Sequence, residues 1–284
     1  MKRLKLLLIV LIFLVSNTGL AENEWLLTQY SDLSGNQAMC YSLVSGDELI
    51  LIDGGWAENA PQVKEIIEAN GGHVRAWFLT HYHGDHAGAF NTLWDEYKDR
   101  IDVVYCTPLD WDEFMEQARD WDTPEVFEAF LKNTEGDTRI IRLNRGDSLE
   151  IAGLEISVFN AYDDIVKKYS DYANNCSLVF KVSNEKRSIL FLGDVWRKDL
   201  GMEILELYGA EALQADYIQA GHHGNNTQSF EFYKALNPSV IFLDGPEWLM
   251  TGEDYNAKDL LAWCAENGIT TYDYRQAPVT LPLD

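Results

Sequence analysis

The chain has 284 residues, 46% of them hydrophobic and 12% aromatic, and a formal net charge of −24. This composition can fill a sizeable core and excludes a disordered chain, while the charge argues against nucleic acid or an anionic membrane surface as a partner. Length alone allows one large two-layer domain or two small ones.

Residues 1–21 read as a secretory signal peptide. Lys2, Arg3 and Lys5 give a positive start, Leu6 to Val15 an apolar stretch, and Gly19-Leu20-Ala21 a small-residue cleavage site. The apolar run is shorter than the roughly 20 residues a spanning helix needs, so no stable membrane anchor is expected after cleavage, and the product is secreted or periplasmic. Cleavage removes three positive charges and no negative ones, taking the net charge to −27. Residues 22–284 contain no long linker, short repeat or low-complexity tract and read as one domain. The four cysteines, Cys40, Cys106, Cys176 and Cys264, allow three disulfide pairings in an oxidising compartment, but each lies in or beside an apolar stretch, which favours separate buried thiols.

In chain order, strands are expected over Met39 to Val44 and Glu48 to Ile52, joined by a turn at Ser45-Gly46-Asp47 and closed by Asp53-Gly54-Gly55. A helix over Ala60 to Ala69 has Pro61 in its first turn and Gly71-Gly72 just past its end. Val74 to Leu79 makes a buried strand, Thr80 to Gly88 a loop, Ala89 to Tyr97 a helix and Ile101 to Cys106 a strand. From Thr107 to Asp137 the chain is acidic and aromatic, with Trp111, Phe114, Trp121, Phe127 and Phe130 spaced for one or two amphipathic helices. These helices either pack their aromatics on the core or form a lid suited to a cationic substrate.

Strands resume near Arg139 and continue through Ser148 to Ile151, Leu154 to Phe159, Ser177 to Val182 and Ser188 to Leu192. After Gly193-Asp194 the pattern alternates. It runs as helix Lys198 to Tyr208, strand Asp216 to Gln219, helix Ser229 to Leu236, strand Val240 to Leu243, helix Asn256 to Glu266 and strand Thr270 to Tyr274. Two strand-rich stretches interleaved with helices predict an α/β (α+β) four-layer sandwich, αββα.

Histidine carries the chemical signal. Five of the six histidines lie in two short segments, His81, His83 and His86 in one and His222 and His223 in the other. In an extended segment residues two apart point the same way, so His81 and His83 can share one ion, and a turn at Gly84 aims Asp85 and His86 at a second. Asp194, after the strand Phe191-Leu192-Gly193, reads as a turn residue when taken alone, although a carboxylate's two oxygens can hold two ions. Spacing leaves open which of His222 and His223 binds metal. Adjacent side chains diverge, so one would coordinate and the other meet substrate. His73, at the start of a strand, reads as structural.

The string His81-Tyr82-His83-Gly84-Asp85-His86 resembles the H-x-H-x-D-H signature of the metallo-β-lactamase fold superfamily, and the likeness extends over nearly the whole chain after the signal. The resemblance implies a dinuclear centre held by His81, His83, Asp85, His86, Asp194 and His222, with zinc as the first candidate and manganese or iron as alternatives. It gives Asp53 the role of orienting a ligand from behind. Asn174-Asn175-Cys176-Ser177-Leu178-Val179-Phe180, Gly193-Asp194, His222-His223-Gly224 and Leu236-Asn237-Pro238 further resemble ComEC-type competence proteins and phosphorylcholine esterases. There too the mid-chain histidine is missing, and no His occurs between His86 and His222. The histidine before proline common in competence proteins is replaced here by Trp248-Leu249-Met250-Thr251-Gly252-Glu253.

These features predict an exported hydrolase that activates a water between two divalent ions to cleave a phosphoester or phosphodiester. Asp85, Asp194 and His223 are the expected catalytic groups. Tyr82, Asn174 and Asn175 are candidates for substrate or supporting contacts, although the two asparagines also suit a strand-initiating turn. The expected substrate is a small molecule or ester, and a cationic one if the aromatic segment forms a lid. A lactone, thioester or β-lactam hydrolase, and a non-catalytic binding protein on the same fold, are the competing readings.

Overall fold

The computed structural model describes residues 24–283. The expected signal peptide over 1–21 lies outside them. Among the described residues, fourteen strands form two seven-stranded sheets. The first contains β1 (Leu26–Gln29), β2 (Cys40–Ser45), β3 (Glu48–Asp53), β4 (Ala76–Leu79), β5 (Val104–Cys106), β6 (Ile140–Arg142) and the last strand, β14 (Val279–Pro282). Its spatial order is β14-β1-β2-β3-β4-β5-β6. The second contains β7 (Ser148–Ile151), β8 (Leu154–Asn160), β9 (Val179–Ser183), β10 (Ser188–Phe191), β11 (Tyr217–Gln219), β12 (Val240–Phe242) and β13 (Thr270–Tyr272), with neighbours in sequence order.

Each sheet changes character half-way. The pairs among β14, β1, β2 and β3 are antiparallel, and β3 to β6 run parallel. In the second sheet β7 to β10 are antiparallel and β10 to β13 parallel. Parallel strands need crossovers, and helices supply them. These are α1 (Ala60–Ala69), α2 (Gly84–Tyr97), α3 (Trp111–Gln117) and α4 (Pro124–Asn133) in the first half. The second half has α6 (Lys198–Leu213), α7 (Phe230–Leu236), α8 (Glu247–Thr251) and α9 (Ala257–Glu266), while the single-turn α5 (Tyr172–Asn175) lies between the antiparallel β8 and β9.

The period of two along each strand divides the core. Tyr41, Leu43, Ile50, Ile52, Phe78, Phe180, Val182, Ile189, Phe191 and Phe242 point between the sheets. Leu49, Leu51, Trp77, Leu79, Val179, Leu190, Leu192, Ile218 and Ile241 point outwards under the helices. A strand buried on both faces must be apolar at every position, as Leu49-Ile50-Leu51-Ile52 is. The result is the expected αββα sandwich. All four cysteines are free and buried.

Several expected boundaries shift. β1 and β14 pair with each other at a sheet edge, and neither short segment carries enough apolar alternation to be read alone. The short helix α8 was likewise not expected. α2 begins at Gly84, so Asp85 and His86 ride its first turn rather than the expected loop. Two glycines made Gly84 to Gly88 read as a loop. Here they are needed for close approach: a Cβ at Gly88 would lie 2.5 Å from the backbone nitrogen of Ala57. Asn174 and Asn175 stand in α5 and not in a strand-initiating turn.

Candidate metal centre

The site lies where the carboxyl ends of parallel strands from both sheets meet, the usual place for a crevice in open α/β sheets. β3 ends in Asp53, β4 leads into Thr80 and His81, β10 leads through Gly193 to Asp194, and β11 leads to His222 and His223. One bond ties the two sheets together here, Leu178 N–H donating to the Thr80 carbonyl at 2.9 Å, and within the second sheet Asp194 N–H donates to Ser177 Oγ at 3.0 Å. Gly193 has φ +52°, and a Cβ there would come within 2.7 Å of Ser177 Cβ, so only glycine lets Asp194 sit this close. Asp53, His222 and His223 also have positive φ, at 51°, 53° and 57°. Such strain, of order 1–3 kcal/mol per residue, persists where surrounding structure enforces it and clusters at functional sites.

Four buried side chains converge most closely. His86 Nε2 lies 3.3 Å from Asp194 Oδ1 and 3.9 Å from Asp85 Oδ1, and His223 Nε2 lies 3.2 Å from Asp85 Oδ2 and 3.3 Å from Asp194 Oδ2. With His81 they form two overlapping donor sets, His81/His86/Asp194 and Asp85/His86/His223, whose atoms lie within 4.8 Å of one another. His83 packs beside them, its ring centroid 4.8 Å from that of His81. His81 Nε2, His86 Nε2, Asp194 Oδ1 and both ring nitrogens of His223 are buried yet have no hydrogen-bond partner. The short His–Asp separations above therefore lack hydrogen-bonding angles. Buried nitrogen and oxygen donors that converge without bonding each other have the chemistry of a cation site, and they fit a pair of divalent ions.

Electrostatics point the same way. Burial alone would push the Asp194 carboxyl up, but His223 and His86 hold it well below the usual range, and His86 and His223 likewise lower Asp85. Burial opposes charge on His223, yet Asp194 and Asp85 raise it to about 10; Asp194, Asp53 and Asp85 raise His86. His81 is driven well down by burial and by His86, so it stays a neutral imidazole with a free lone pair. The carboxylates here demand positive charge, which either protons or metal ions can supply.

Asp53 lies behind the cluster and is fully buried. It accepts from Thr80 N–H at 2.8 Å and Thr80 Oγ at 2.6 Å, and it lies 2.7 Å from His86 Nδ1. This contact holds a proton on Nδ1, so Nε2 is the nitrogen that faces Asp194 and is left to bind a cation.

The structure separates the paired candidates. His223 is buried in the cluster, whereas His222 binds the Asn225 carbonyl through Nδ1 at 2.7 Å and only borders the cavity, so His222 does not join the donors as expected. Consecutive left-handed residues turn the two rings apart. Tyr82 is also turned away. It alternates with His81 and His83, and its ring stacks on Phe127 at 4.1 Å while its hydroxyl donates to the Thr107 carbonyl. It therefore contacts neither substrate space nor a donor. Asn175 is spent on structure: Nδ2 donates to the Ser170 and Asp171 carbonyls and Oδ1 accepts from Arg197 N–H. Asn174 lines the cavity, with Oδ1 buried and without a partner. His73 is exposed and pairs with Asp102.

The cavity above the donors measures about 560 Å³ and is bordered by Trp56, Trp121, Asn174, Asn225 and Tyr255. Phe114, Phe127 and Phe130 are buried in the core, so the aromatic segment is mainly packing. Trp121 is the exception: it is 67% exposed and stands at the cavity rim. A separate groove of about 450 Å³ beside Phe230 and Trp263 shares none of these residues. Asp122, unexpected from sequence, lies 2.8 Å from His83 Nε2. Only its position just before Thr123-Pro124, a helix-starting pair, could have drawn notice.

A two-sheet sandwich with a His/Asp cluster of this kind defines the metallo-β-lactamase fold, and that fold suggests a metallohydrolase. Residues 33–143 match the family model of the metallo-beta-lactamase superfamily. The fold resembles the metallo-beta-lactamase fold protein YhfI of Bacillus subtilis, with 12% identity and a TM-score of 0.57, covering 91% of this chain and 99% of that one. It also resembles CmlA, a diiron beta-hydroxylase from Streptomyces venezuelae, with 15% identity and a TM-score of 0.60, covering 92% of this chain and 54% of that one. A stretch of 81 residues, 27% of this chain, is 31% identical to the Beta-lactamase-like protein 2 homolog of Caenorhabditis elegans. That match spans only 28% of the curated relative.

Proposed function

We propose that the protein is an exported metallohydrolase that cleaves a phosphoester or phosphodiester of a small molecule. The observation that carries this reading is the pair of overlapping, unpartnered donor sets at the floor of an open cavity. His81, His83 and Asp194 would hold one ion, and Asp85, His86, His223 and Asp194 the other, zinc first and manganese or iron as alternatives. Bound there, the ions would supply Lewis acidity and make a water acidic enough to attack at neutral pH.

The protein's own residues do the rest. Asp194 presents one oxygen towards His86 and the other towards His223, so it can serve both sides of the centre. Asn174 Oδ1 can accept a hydrogen bond from the attacking water and orient it. Trp56, Trp121 and Tyr255 border the cavity, and among the described residues lining it none is Lys or Arg. Aromatic faces without cations suit an apolar or cationic group, such as a phosphorylcholine-like ester, better than a polyanion. Export rests on the sequence of residues 1–21.

The test is metal analysis of the purified protein with a substrate panel: a chromogenic phosphorylcholine ester, a phosphodiester, a lactone, a thioester and a β-lactam. Metal-dependent turnover of the phosphoesters is expected. Turnover confined to carbonyl substrates would replace this reading with a carbonyl hydrolase, and a fully metallated protein inert on the whole panel would point to a binding protein.

A further inference from the structure

The donor loop is gripped from outside by the segment joining α3 to α4. Asp122 Oδ1 lies 2.8 Å from His83 Nε2, and the next residue, Thr123, accepts the Gly84 N–H on Oγ1 at 2.9 Å. The other oxygen of Asp122 accepts the Arg119 N–H at 2.6 Å, and the side chain is fully buried. Both oxygens are thus engaged, so Asp122 cannot swing into the cluster as a ligand. An imidazole that gives Nε2–H to a carboxylate has one lone pair left, on Nδ1. Asp53 does the converse to His86, taking Nδ1 and leaving Nε2. Two buried carboxylates, one on either side of the histidine motif in sequence, therefore fix opposite tautomers of two neighbouring rings.

We propose that Asp122 is a positioning residue of the metal centre: it holds His83 as the Nε2–H tautomer with Nδ1 as donor, so ion retention depends on the α3–α4 segment. This rests on the reading that the cluster binds metal. A buried carboxylate behind a ligating histidine raises its basicity and fixes its orientation, and losing such a partner typically weakens metal binding about 10–100-fold.

The test is cobalt(II) titration of the full protein with chelator competition, together with the visible absorption of the loaded protein. Asp122→Asn can satisfy either the Arg119 N–H or His83 with its single oxygen, not both. It should bind one ion about 10–100-fold more weakly and shift the cobalt bands, and Asp122→Glu should recover part of the loss. Thr123→Val cuts the neighbouring contact of the same segment and should keep the wild-type spectrum. An unchanged affinity and spectrum in Asp122→Asn overturns the proposal, as does a Thr123→Val variant that shifts the bands equally, which would mark mere loop anchoring. Long-range nitrogen NMR of the zinc-loaded wild type needs no variant: protonation of His83 on Nδ1 also overturns it. If the wild type takes up no cobalt, the metal reading falls and this inference with it; a loaded wild type with an indifferent Asp122→Asn sinks this inference alone.

Discussion

Replacing Asp53 by Asn changes one heavy atom of a residue that does not line the cavity, yet it should cripple the centre. Asp53 Oδ1 receives the Thr80 backbone N–H, a donor that cannot be reversed, so the amide oxygen of Asn must occupy that place. The amide NH₂ then faces Thr80 Oγ, which can accept, and His86 Nδ1, which in the wild type carries a proton. His86 must either face donor against donor or move its proton to Nε2, losing the lone pair directed at Asp194. A hydrogen bond to a charged group is worth about 1.5–3 kcal/mol. At 1.36 kcal/mol per decade this is roughly a 10–150-fold loss of affinity for the ion that His86 would hold, in line with the effect of removing supporting carboxylates elsewhere. Competition with a chromogenic chelator measures it directly. A variant that binds both ions within a factor of about two of wild type would refute the tautomer argument.

Three further outcomes follow from the geometry. His223→Ala should lose one equivalent of metal by elemental analysis while His222→Ala keeps both, because only His223 faces Asp85 and Asp194; equal losses would contradict the separation of the two rings. Gly193→Ala must accept a positive φ and a Cβ 2.7 Å from Ser177, so urea unfolding of the metal-free protein should show a loss of about 2–4 kcal/mol. Burial raises the Asp244 carboxyl above its usual range, although Tyr41 and Gln29 hydrogen bonds pull it down. A carboxyl whose folded value lies above its unfolded one destabilises the fold when ionised, and that cost disappears as pH falls through the folded value. Asp244→Asn should therefore gain stability relative to wild type as pH rises from 4 to 8, read by thermal melts at fixed ionic strength.

Much of the architecture was legible in the chain because each buried strand must be apolar on two faces and each crossover helix on one. Leu49-Ile50-Leu51-Ile52 and Ser188-Ile189-Leu190-Phe191 announce strands with no help from their neighbours. The pair β1 and β14 was illegible because its strands are short and β14 takes its place only from a partner at least 250 residues away. The start of α2 is not legible in the sequence, because Gly84 and Gly88 have loop character until Trp56 and Ala57 are seen packed against them.

For the site, the spacing His81-Tyr82-His83-Gly84-Asp85-His86 determined that several donors sit together, since residues this near in sequence cannot be far apart in space. The sequence also made Asp53 and Asp194 strand-end carboxylates. Only the tertiary structure decided that His223 rather than His222 faces the acids, that Asn174 is open while Asn175 is bound, that Tyr82 belongs to the core, and that Asp122 stands behind His83. The physical reason is that a side chain's direction depends on the φ and ψ of its own residue and on the partners packed around it. Neighbours such as His222 and His223 share composition and spacing, and differ only in where a strained backbone turns them.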